Sequence, residues 1–123
     1  MLIEIESQNE ICIVRLKGRF VMRIDPEYLG SQANDIKIRN CSKLLIDLGE
    51  VSSICSTVIG FIVDLYTSTA KKGEGRFTLT GGNTRVQEVL RITRLNTVIP
   101  MAANTAAGLA ALRGESTSRS IGR

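Results

Sequence analysis

The chain has 123 residues, 43% of them hydrophobic, which allows one domain with one core and argues against disorder. The formal charge of +4 is dispersed rather than clustered, so nucleic-acid binding is not expected. With no histidine, the commonest general base and a frequent zinc ligand are both missing. The N-terminus lacks the basic and apolar regions of a signal peptide, and no apolar run approaches the roughly 20 residues of a membrane span. A cytoplasmic protein with no integral membrane segment is the expectation.

Residues 2–6 alternate apolar and acidic side chains as a half-buried strand does, and Gln8-Asn9 suits a turn. Residues 11–16 form a second β-branched run, so the first two strands read as a hairpin. After Gly18 comes a loop, and then Asp25-Pro26 signals a helix start: Asp caps free amides and Pro suits the first helical position. Leu29, Ala33 and Ile36 recur at helical spacing, and Asn40 is placed to close that helix.

Residues 43–48 contain Leu44-Leu45-Ile46, apolar toward both faces, as in a strand covered on both sides. A helix between two strands implies that they run parallel. Residues 56–72 form the longest helical segment. Val58, Ile59, Ile62, Val63 and Leu65 cover more than one of its faces, which predicts deep burial. Lys71-Lys72 and Gly73 suit its end, and Gly73-Glu74-Gly75 a turn.

Residues 76–80 alternate around Phe77 and Leu79 as a strand. Thr84-x-x-Gln87 reads as a capping box opening a helix with Val86, Val89, Leu90 and Thr93 on its apolar side and Asn96 at its end. Val98-Ile99 predicts a short last strand broken by Pro100, and residues 104–112 a final Ala-rich helix. Residues 114–123 are mostly Ser, Gly and Arg with little to bury, and a flexible tail is expected there. Alternation of this kind predicts an α/β fold, an open sheet of about four to five strands with about four helices packed on it.

Cys12, Cys41 and Cys55 are an odd number at wide spacing, without a CxxC pair. The expectation is reduced, mostly buried thiols and no metal site. Gly81-Gly82 lacks the further glycines and the Lys-Ser/Thr of a phosphate loop. No catalytic constellation stands out, and no enzyme activity and no cofactor are expected. The informative segment is Ile54-Cys55-Ser56-Thr57-Val58, where a helix opens just beyond a strand end. Ligands and partners favour that edge of an open sheet. Ser56 reads either as an N-cap or as a phosphate acceptor, whose charge the free amides would tolerate. Cys55 reads either as a small packed residue or as a thiol activated at a helix N-terminus.

Leu44-Leu45-Ile46-Asp47-Leu48, then Val51 to Thr57, then Ile59-Gly60, resembles the signature of the STAS family, anti-sigma-factor antagonist type. There a buried strand leads to Asp-Ser-Ser/Thr-Gly-Leu-Gly at a helix start. Cys55 stands at the motif Asp and Val58 at its first Gly. Residues 75–79 and 86–90 match the family's next strand and helix, so residues 1–113 read as one STAS domain. The resemblance implies phosphorylation of Ser56, with Thr57 second. It implies a partner surface made by Cys55, Ser56, Thr57 and the loop residues Arg19, Phe20 and Val21. The implied partners are an anti-sigma factor that is also a serine kinase, and a PP2C-like phosphatase. The alternative is a non-phosphorylated scaffold subunit of a stress-sensing or lipid-transport complex.

Overall fold

The alternating N-terminal residues form β1 (Leu2–Gln8), which turns back antiparallel on β2 (Ile11–Arg19). The structure, a computed structural model, describes residues 2–8, 10–19, 25–39, 41–71 and 76–113. Helix α1 (Pro26–Ile38) starts where expected: the Asp25 carboxylate accepts from the Glu27 amide at 2.9 Å, and Pro26 opens the first turn. Its C-cap is Arg39; Asn40, expected to close it, lies outside the described residues. So do residues 72–75, read as a helix stop and a turn, and the tail 114–123.

Strand β3 (Lys43–Ser53) pairs parallel with β2 on one side and with β4 (Arg76–Thr80) on the other. Adding β5 (Met101–Ala102), the sheet order is β1-β2-β3-β4-β5, mixed because only β1 runs against its neighbour. Leu44 and Ile46 point into one layer and Leu45 into the other, and all three are buried. The first layer holds α1, α2 (Ser56–Ala70) and α3 (Thr84–Ile92), packed on Val14, Leu16, Leu48 and Leu79. The second is α5 (Thr105–Arg113), whose Leu109 and Leu112 meet Ile11, Ile13 and Leu45. Each fully buried aliphatic contributes about 1.5–3 kcal/mol, which is how so few aromatics suffice.

Helix α5 comes very close to the sheet. A Cβ on Gly108 would lie 2.6 Å from Thr80 Cγ2 and 2.7 Å from Leu45 Cδ1. Gly108→Ala is therefore expected to lower stability by about 1–2 kcal/mol, overpacking outweighing the better helix propensity. Urea denaturation measures it.

The part of the second face beside β1 carries charge instead of a helix. Arg15 reaches Glu6 at 2.8 Å, and Lys17 reaches Glu4 at 3.0 Å and Glu50 at 3.7 Å. The Arg15 hydrogen bond holds the Glu6 carboxyl below the usual carboxylate range, and Glu4 raises Lys17. These residues are partly solvated, so the ladder keeps that face in water more than it stabilises the fold.

Four expectations are corrected. First, Cys12 and Cys41 are joined in a disulfide, with Cα atoms 5.9 Å apart, and are not reduced thiols. The parallel register sets Cys12 opposite Leu44, which carries the lead into β3 alongside β2. Second, Val98-Ile99 is not a strand. Residues Leu95–Val98 are one helical turn, α4, closed by Ile99 N–H on the Leu95 carbonyl at 2.8 Å. The last strand follows Pro100, whose carbonyl accepts from Leu79 N–H at 3.0 Å. Third, α3 ends at Ile92 rather than at Asn96, and Asn83, not Thr84, is its N-cap, accepting from Val86 N–H at 2.8 Å. Asn outranks Thr in that position. Fourth, α2 buries one stripe rather than more than one face. Val58, Phe61, Ile62 and Leu65 are buried, while Val63 is 36% exposed. Among the described residues no helix is long and apolar enough to cross a membrane.

Candidate functional site

Strand β3 is longer than the apolar run that marks it. It continues through Gly49-Glu50 to Ser53, held at its far end by buried Val51 and followed by buried Ile54. The register pairs Gly18 with Val51 and Arg19 with Ser53. The end of β2 therefore lies beside the chain that enters α2. Arg19 is thus brought to the edge where α2 begins, although its side chain, Phe20 and Val21 lie outside the described residues.

Helix α2 starts without a side-chain cap. Cys55 is its N-cap in an extended conformation, φ −123° and ψ 177°, and makes no side-chain capping bond. Its carbonyl accepts the first helical bond from Ile59 N–H at 3.1 Å. No acidic residue stands in the first turn. The contrast is with α1, α3 and α5, where Asp25, Asn83 and Asn104 each accept from a backbone amide. A first turn that lacks such an acceptor keeps positive partial charge facing solvent. Cys55→Asp is expected to supply the missing acceptor and raise stability by about 1 kcal/mol at neutral pH. The gain should vanish once acid protonates the new carboxylate, and thermal melts at two pH values read both effects.

Ser56 is exposed at the first position of α2, Thr57 is half-buried, and Val58 is fully buried. The first hydroxyl is open to solvent. The second lines a groove of about 190 Å³ between α1 and α2, with Leu29, Gly30, Gly60 and Phe61. Successive turns place Ser56, Ile59, Gly60, Val63 and Thr67 along the outward side of α2, opposite the buried stripe. Of these, Ser56, Gly60, Val63 and Thr67 are exposed and Ile59 is half-buried. The result is a mildly apolar ridge with a hydroxyl at its amino end.

Sequence reasoning missed the part of this edge that α3 supplies. The Asn83 amide donates to the Ser52 carbonyl at 3.0 Å and to the Val51 carbonyl at 3.4 Å, tying the start of α3 to the end of β3. Ser52, Asn83, Thr84, Arg85 and Glu88 then line an open groove. Reading Asn83 rather than Thr84 as the cap locates the start of α3, but no local signal marks its tie to β3, 31 residues away in sequence. The close approach of Gly81 to Gly49 fixes the same corner: Gly81 has φ +74°, and a Cβ there would meet the Gly49 backbone at 2.8 Å. Among the described residues no three His, Cys, Asp or Glu side chains converge as a metal would need.

The sequence pattern of the STAS domain family matches residues 3–108. No curated protein sequence matches the chain. Solved structures match over nearly its whole length. An anti-sigma factor antagonist from Mycobacterium paratuberculosis superimposes with a TM-score of 0.80 at 18% identity, covering 91% of this chain and 93% of that one. The anti-sigma factor antagonist SpoIIAA in its unphosphorylated form gives 0.76 at 16% identity, with coverages of 92% and 97%. A serine-to-glutamate variant of RsbS from Moorella thermoacetica gives 0.75 at 17% identity, with coverages of 91% and 95%. At these identities the structural matches establish the fold.

Proposed function

Because the chain belongs to the STAS domain family, whose antagonist fold is that of a non-enzymatic, partner-switching type of regulatory module, we propose that it works in the cytoplasm by binding an anti-sigma factor that is also a serine kinase. Ser56 is the phosphorylated residue in this reading, and Thr57 the second choice. Docking uses the ridge of α2 together with Cys55, Ser56, Thr57 and the loop of Arg19, Phe20 and Val21. A PP2C-like phosphatase removes the phosphate. One observation carries the reading: an exposed hydroxyl opens the outward, mildly apolar face of α2, at a helix start whose N-cap residue makes no side-chain capping bond.

The physics of a switch follows. A phosphate adds about −1.5 to −2 charges. On the free protein the helix start accommodates them, because negative charge is favourable there. In a docked interface the same charge loses its water, at a cost of several kcal/mol unless the partner supplies a cation. Modification thus releases the partner without unfolding the module.

The test is incubation with the cognate kinase and ATP, followed by mass mapping of the phosphate. Phosphate on Ser56, with loss of the complex, is the expected result. Ser56 and Thr57 both left unmodified, together with undiminished binding by a Ser56→Asp variant, would sink the switch. A second reading, a scaffold subunit of a larger complex that is not phosphorylated, draws on Cys55, which removes the carboxylate the family carries beside its phosphosite. Co-purification within a large assembly, with no phosphate found, favours it.

A further inference from the structure

The two sulfurs of the disulfide sit in unlike surroundings. Cys12 is fully enclosed, 0% exposed, whereas Cys41 is half-buried. Cys41 also lines a cavity of about 130 Å³ whose walls include Ile36, Leu44 and Leu65, with Lys37, Ser68 and Thr69 completing it. That is close to the roughly 150 Å³ that accepts a benzene-sized molecule. The Lys37 ammonium is engaged by Asp64 at 2.8 Å, so the cavity suits a small, uncharged, partly apolar guest. A thiolate attacks a disulfide at whichever sulfur it can reach, and here that sulfur belongs to Cys41.

The other sulfur is equipped to leave. Ser7 Oγ lies 3.9 Å from Cys12 Sγ, and the Arg39 guanidinium donates to Ser7 Oγ at 2.8 Å. A disulfide sulfur has no hydrogen, so in this contact the hydroxyl donates. Arg39 occupies a lone pair of the oxygen and leaves the O–H free to point at sulfur. A hydroxyl polarised by a cation is therefore aimed at the atom that takes up charge when the bond breaks. Stabilising that thiolate speeds its departure.

We propose that Cys41 is a site of reversible S-thiolation by small, uncharged, low-molecular-weight thiols. The incoming thiol enters the cavity uncharged and gives its proton to water at the open mouth as its sulfur closes on Cys41. It forms a new S–S bond to Cys41 Sγ as the Cys12–Cys41 bond breaks, and the electron pair leaves on Cys12 Sγ under the Ser7 hydroxyl. The incoming sulfur is oxidised and Cys12 is reduced, so no further oxidant is consumed. In the reverse step the Cys12 thiolate attacks Cys41 and expels the thiol. A disulfide kept in a thiol-rich compartment is typically one that exchanges in this way.

The test treats the oxidised full chain with limiting 2-mercaptoethanol, freezes exchange with acid, and weighs peptic peptides. The adduct is expected on Cys41, with a free thiol on Cys12, at least about tenfold over the opposite pattern. An adduct mainly on Cys12, an even mixture, or exchange only after urea unfolds the chain overturns the proposal. Ser7→Ala, at an exposed position, is expected to slow adduct formation about tenfold. The alkylation rate of Cys55 should stay the same. Equal exchange rates in the two proteins would remove Ser7 and Arg39 from the mechanism, and the directed leaving group with them.

Discussion

Loss of the Cys12–Cys41 bond is expected to lower the unfolding free energy by about 3–4 kcal/mol and the melting temperature by at least about 10 °C. The two cysteines are 29 residues apart in sequence, and the loop they close contains the whole of α1. Opening a loop of roughly 30 residues returns that much chain entropy to the unfolded state in the loop-closure treatment. Total stabilities of small domains are about 5–15 kcal/mol, so the effect is a large share of what holds the fold. Thermal melts with and without a phosphine reductant measure it, with a Cys12→Ala/Cys41→Ala double variant as the second arm. Alanine keeps the Cys12 position apolar, so most of its loss comes from the link rather than from a buried polar atom. Identical melts in all three samples would mean that the bond contributes nothing.

The same bond shows where the sequence stops being legible. Signals that act within a turn or two were readable. Asp25-Pro26 starts α1, alternation around Ile3 and Ile5 marks β1, and the two-sided apolar run Leu44-Leu45-Ile46 sits between helical layers. The mixed α/β sheet followed from them, and the residues that carried the family resemblance led to the right fold. The pairing of Cys12 with Cys41 depends on the register of β2 against β3, which no local pattern encodes. The apolar run ends at Leu48, so the sequence marks β3 only that far, whereas the strand continues to Ser53. Gly49 is a strand residue beside which the backbone of Gly81 packs closely. Val98-Ile99 is β-branched and apolar like a strand, yet a single helical turn buries Ile99 and leaves Val98 exposed. At the candidate site, the hydroxyls of Ser56 and Thr57 were found from the sequence. The anchoring of Asn83 on the end of β3 was not, because it joins segments about 30 residues apart.

Ser56→Asp is expected to lower affinity for the proposed anti-sigma partner at least about 100-fold while leaving the melting temperature unchanged or slightly raised. The two effects have opposite signs because the same charge meets two environments. In the free protein the new carboxylate stands in the first turn of α2, where no acidic side chain is present, and the dipole favours it by about 0.3–1 kcal/mol. In the complex it would be buried against the partner, and 100-fold corresponds to only about 2.7 kcal/mol of uncompensated desolvation. Ser56→Ala removes the hydroxyl without adding charge and should bind like the unmodified chain. Thr57→Asp places its charge in the half-buried groove against α1, so it should destabilise the fold as well as weaken docking. Calorimetric titration against the partner, with melts of the same preparations, separates these patterns. A Ser56→Asp protein that melts early would report damage to the helix rather than a charge on a docking face. One that melts normally and still binds would place the partner elsewhere on the sheet.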